Sequence, residues 1–174
     1  MPFLTRLRRF IYERALGRYT TTNVHQIGEK HFAEISSVGI VFDANEAADR
    51  EAVLKYVDRL RNSGIEVWPF GFFHTRIMDV TFPFDFIDNT NLSFARLPKG
   101  ERVREFIQTP FDVLINLDTV LYPPINYICA ASRALFKIGP ANGDPAHYDL
   151  MIDTHENTLE RYIEEIRKTF KKIS

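Results

Sequence analysis

The stretch Ser37-Val38-Gly39-Ile40-Val41-Phe42-Asp43, together with the run Ile65 to Phe73 that follows one helical segment later, decides the fold. The first is short, apolar and β-branched, as a parallel strand covered on both faces must be, and it ends at an aspartate. From Asn45 to Asn62 the apolar positions Ala47, Leu54, Val57 and Leu60 follow helical spacing with charges between them, and Ser63-Gly64 closes the segment. Strand, helix and strand in this order make a βαβ unit, the connection that parallel strands need.

Beyond this unit the stretch 74–100 is the least regular, with a short strand expected around Phe84 to Ile87. Regular patterning resumes with a helix over Glu101 to Gln108, stopped by Thr109-Pro110, and an apolar strand, Phe111 to Leu117. Pro123 and Pro124 suit the first turn of a helix reaching about Ala134. A strand Leu135 to Gly139 follows, ended by Gly139-Pro140, and then another, Tyr148 to Asp153. A covering helix from about Glu156 to Lys172 places Leu159, Ile163, Ile166, Phe170 and Ile173 on one side, with Thr154 as its N-cap. The alternation predicts an α/β three-layer sandwich: a mainly parallel, Rossmann-like sheet with helices on both faces, plus an amphipathic basic helix at the N-terminus. Residues 1–35 read as that helix and a connection, and 36–174 as one α/β domain. The strands 38–42 and 111–117 are the most continuously apolar, which predicts that they lie side by side at the sheet centre.

An apolar share of 45%, with 15 Phe, is too high for a disordered chain, and the interspersed charges break every stretch long enough to span a membrane. Cys129, the only cysteine, excludes an internal disulfide; lying in Tyr127-Ile-Cys-Ala-Ala, it reads as a buried small hydrophobe rather than a nucleophile. Arginines interrupt the first residues where a signal peptide needs an unbroken apolar run. A cytoplasmic protein is the expectation.

Polar residues gather where strands are expected to end: Asp43 and Asn45, His74, Asn116 and Asp118, Asp153 and His155. In open parallel sheets ligands bind beyond the carboxyl ends of the strands, so Asp43, His74, Asn116, Asp118 and Asp153 form a candidate rim. Carboxylates with two histidines could bind a metal or serve as acid and base there, or simply serve as caps, as Asp43 with Glu46 three residues later would in a capping box. The spacing matches no metal signature, and His25 and His31 lie six apart, unlike two ligands on one helix face; no metal and no cofactor are expected. Neither G-x-G-x-x-G nor a P-loop follows the first strand, and the acidic turn there would repel phosphate. A G-x-S-x-G elbow is also absent.

Charge is segregated. Residues 1–20 hold Arg6, Arg8, Arg9, Arg14 and Arg18 against Glu13 alone, while the chain as a whole carries a net charge of −1. In a helix Phe3, Leu7, Phe10, Ile11 and Arg14 share a face, an apolar stripe flanked by arginines. Such a helix either packs on its own domain or docks on an anionic surface: RNA, lipid headgroups or an acidic partner. The expected role is a non-catalytic interaction module that engages a protein or RNA-containing assembly, or a membrane surface, through these arginines. The alternative is a small enzyme or ligand-binding protein, related to nucleotides or sugars, working at the strand-end rim.

The combination of Gly39-Ile-Val-Phe-Asp43, Trp68 with Phe70-Gly71, Phe111 to Leu117, Ala134-Leu-Phe-Lys-Ile-Gly139 and Tyr148 to Asp153 resembles a family of small uncharacterised proteins of Bacteroidota, over nearly the whole chain. The resemblance implies a cytoplasmic α/β domain and brings no activity. Residues 111–153 alone look like the acceptor half of heptosyltransferase-type glycosyltransferases. Those enzymes need a second nucleotide-sugar domain, for which this chain is too short.

Overall fold

In the computed structural model, which describes residues 2–19, 35–154 and 158–173, the expected βαβ unit is formed by β1 (Ser37–Asp43), α2 (Ala47–Asn62) and β2 (Glu66–Phe73). Ahead of it stands α1 (Pro2–Leu16). After it come β3 (Asp85–Asp88), a 3-10 turn (Asn89–Asn91), α3 (Glu101–Gln108), β4 (Val113–Asn116), α4 (Pro123–Ala131), β5 (Phe136–Pro140), β6 (Leu150–Ile152) and α5 (Leu159–Ile173). The sheet has six strands in the order β3-β2-β1-β4-β5-β6, and every pairing is parallel. As their apolar runs require, β1 and β4 are neighbours at its centre, with Ile40 opposite Ile115.

Each face is covered by its own helices. Val38, Ile40, Phe42 and Ile115 pack with Val53, Tyr56 and Val57 of α2 and with Tyr162, Ile163 and Ile166 of α5. On the opposite face Val41, Phe70, Phe72 and Leu114 pack with Val103 and Phe106 of α3 and with Ile125, Ile128 and Cys129 of α4. The irregular stretch after β2 is held by stacked rings. Phe73 lies 5.0 Å from Phe82, Phe82 lies 5.1 Å from Phe84, and the Arg50 guanidinium sits over both Phe73 and Phe82.

Several boundaries differ from the sequence expectation for visible reasons. The fourth strand starts at Val113 because Asp112 is engaged elsewhere: its Oδ2 accepts from the backbone N–H and hydroxyl of both Ser36 and Ser37, at 2.8 to 3.0 Å. α4 stops at Ala131 rather than Ala134, since Arg133 N–H donates to Ile107 O and Leu135 N–H to Phe111 O. The last strand is shorter than Tyr148–Asp153 because Tyr148 turns into the core. The last helix begins at Leu159, so Thr154 does not cap it. Both sheet edges are brief, four residues in β3 and three in β6. Pro69 falls in the half of β2 that extends beyond the β3 pairing, which starts at Phe70, a position where a missing donor is tolerated. Beside it, Arg61 Nη2 donates to Val67 O at 2.9 Å.

Candidate functional site

Strand order reverses between β1 and β4, and a ligand crevice in such a sheet lies beyond the carboxyl ends of those two strands. Asp43 closes β1 at this point. Its Oδ1 accepts from the backbone N–H of Asn45 at 3.0 Å and also from the Asn45 amide, while Asn45 Oδ1 accepts from His74 N–H at 2.9 Å. His74, just past β2, thereby brings its Nε2 to 3.4 Å from Asp43 Oδ2, and the Tyr122 ring packs against the imidazole with centroids 4.0 Å apart. Asp43 is therefore not part of a capping box: Glu46 is the N-cap of α2 and makes no side-chain cap. Arg50 secures the turn by donating to Ala44 O and Asn45 O.

Asp118 lies next to this group but is buried. Its Oδ1 accepts from Val120 N–H at 2.9 Å and its Oδ2 from Tyr122 N–H at 2.6 Å. Between them Leu121 is forced into the left-handed region at φ 63, a strained conformation for a branched side chain. Burial raises the Asp118 carboxyl to about 6, against the pull of those backbone N–H groups, and the negative Asp43 adds to the rise.

Two of the other expected rim residues go elsewhere. Asn116 is fully buried and points inward: its Nδ2 donates to Tyr148 Oη at 2.7 Å, its Oδ1 accepts from Asp118 N–H, and its carbonyl accepts from Tyr162 Oη. Asp153 follows the edge strand β6, three strand spacings from β1, or roughly 14 Å. His25, His31 and His155 lie outside the described residues. Among the described residues no three His, Cys, Asp or Glu come together as a metal ion would require.

The second feature is α1, which packs on α4. Tyr12 Oη donates to Pro123 O at 2.8 Å, and the Tyr19 ring meets the Tyr127 ring edge-on at 5.7 Å. Tyr12, Ala15, Leu16 and Tyr19 are the partly buried positions of this segment. The apolar stripe is a different face and is left outside: Leu4 is 56% exposed, Leu7 39%, Phe10 59% and Ile11 38%. Arg6, Arg8, Arg14 and Arg18 are exposed as well, and Arg9 Nε donates to Glu13 Oε1 at 2.6 Å, so one of the five charges is locally offset. The Phe3 side chain lies outside the described residues.

The family model described as "Family of unknown function (DUF6913)" matches residues 8–173. The chain belongs to this family. No curated protein and no solved structure matches it. The family match thus takes in the β1–β4 rim and most of α1, and it adds neither an activity nor support for the heptosyltransferase likeness.

Sequence reasoning about this DUF6913 chain missed Tyr122 and the buried Lys137, whose Nζ donates to Ala130 O at 3.0 Å. Burial pulls the Lys137 ammonium down, and Cys129, read as a buried hydrophobe, is fully enclosed with its thiol pushed up to about 12 by burial. A lysine inside the apolar run Leu135 to Gly139 was the available signal. Asp118 supplies a pH test. Its folded pKa of about 6 exceeds the unfolded value of 3.8, so the folded state binds the extra proton, and stability rises as pH falls from about 6 toward about 4. The gain is at most about 3 kcal/mol. His147, buried and held below its ordinary value of 6.5 by burial, acts in the opposite sense below that pH. The wild-type value minus that of Asp118→Asn isolates the carboxyl. In urea melts this difference is expected to move in favour of wild type on acidification from about pH 7.5 to about pH 4.5. A difference that does not vary with pH would refute the raised carboxyl.

Proposed function

We propose that this chain is a non-catalytic interaction module that docks on an anionic surface through the outer face of α1. One observation carries the reading. α1 is fixed to the body along the edge defined by Tyr12 and Tyr19, yet four large apolar side chains of the helix, Leu4, Leu7, Phe10 and Ile11, lie exposed among arginines. A helix stabilised only by its own domain would bury that stripe. No described helix is long and apolar enough to cross a membrane, so contact would be made from one side. A cytoplasmic location belongs to the same reading, consistent with a lone cysteine that forms no internal disulfide.

A photoreactive residue at position 10 in the cell is expected to give adducts that the same residue at Asp58, an exposed position of α2, does not. Adduct formation equal at the two positions, or absent at position 10, would overturn the reading.

A second reading, a small ligand-binding protein or enzyme at the β1–β4 rim, is favoured by the His74–Asp43 contact at 3.4 Å beside Tyr122, at the reversal of strand order. It rests on Asp43, His74 and Asp118, without Asn116 or Asp153. Its test is the imidazole NMR signal of His74, which a bound ligand would displace in wild type.

A further inference from the structure

Given that α1 is the docking face, we infer that the surface it meets is an anionic phospholipid bilayer. The stripe from Leu4 to Ile11 forms a convex ridge about 10 Å long. Arg6 stands four residues before Phe10 on one flank. Arg8, four after Leu4 and three before Ile11, stands on the other, and Arg14 follows Phe10 by four. Apolar side chains at the centre and long cations at both margins match the depth profile of a lipid interface. The ridge reaches the acyl boundary while the guanidinium groups extend to the phosphates.

RNA would engage the arginines and leave Leu4, Leu7, Phe10 and Ile11 in water. A second copy of the chain would set Arg6, Arg8 and Arg14 against their equivalents. Because Tyr12 and Tyr19 hold the opposite edge of the segment to α4 and its flank, the ridge can sink into a bilayer without any unfolding of the body.

The test is sedimentation of the purified full chain with vesicles of phosphatidylcholine alone and with about a quarter phosphatidylglycerol. Binding is expected only to the anionic vesicles and should weaken with salt. Changing Arg6, Arg8 and Arg14 together to Gln should reduce it on the order of a hundredfold. Phe10→Glu should abolish it, and both variants should melt at the wild-type temperature because every changed side chain is exposed. Absence of wild-type binding to anionic vesicles, wild-type binding by Phe10→Glu, or tighter association with a structured RNA that is indifferent to Phe10 would each overturn the inference. Adducts at position 10 without vesicle binding would leave the docking face standing and remove the lipid; loss of both would remove the two together.

Discussion

Replacing Ile115 by Asp is expected to abolish folding. Ile115 is fully buried in the middle of β4, paired with Ile40 of β1 on one side and Ile138 of β5 on the other, and its side chain enters the core under α2 and α5. A carboxylate placed there must be protonated or remain unpaired, at a cost of several kcal/mol, and the loss of the isoleucine packing adds about 2 to 5 kcal/mol. Together these are comparable with the whole stability of an ordinary domain, about 5 to 15 kcal/mol. Circular dichroism and soluble yield provide the measurement, with Val120→Asp as the control, since Val120 is 65% exposed in a rim loop. A cooperatively melting Ile115→Asp protein would show that β4 is not central.

The second large effect is expected at Gly139, near the end of β5. A β-carbon there would lie 2.4 Å from the ring of Tyr148, and one at Gly143 would lie 2.7 Å from the same ring, so the tyrosine is sandwiched between two glycines. It cannot swing aside without cost, because it is buried and its hydroxyl accepts from Asn116, which in turn receives Asp118 N–H. Gly139→Ala should therefore destabilise by about 3 kcal/mol or more, combining overpacking with an unsatisfied buried amide. The interaction is testable as a cycle. Once Tyr148→Ala has removed the ring, adding Gly139→Ala should cost far less than it does in wild type. Full additivity of the two changes would contradict the sandwich.

The sheet was readable because its order follows from local pattern. The apolar strands around Ile40 and Ile115 can be covered on both faces only at the centre, and the helical spacing between Ala47 and Leu60 forces a parallel connection. The rim was readable in part. Asp43, His74 and Asp118 end up together because each follows a strand that borders or flanks the β1–β4 gap. Asn116 could not be assigned from sequence, since an asparagine at a strand end looks the same whether it faces solvent or donates to a buried tyrosine 32 residues away. Asp153 was misplaced because its distance depends on strand order rather than on its own surroundings. For α1 the stripe was visible, but which face would pack was not: Tyr12 and Tyr19 hold the helix through contacts with Pro123 and Tyr127, more than a hundred residues on.

The brevity of the sheet edges leaves little template for edge-to-edge aggregation. Fifteen phenylalanines and several continuous apolar strands would make a hazardous template if a long edge were open to another molecule. β3 and β6 offer four and three residues. Where β2 runs on past β3, Pro69 cannot donate and Arg61 already occupies the carbonyl of Val67. Among the described residues a newcomer strand therefore finds no run of free edge groups long enough to register, and a barrier to amyloid-like growth is built into the margins of the sheet while its centre stays as apolar as folding demands.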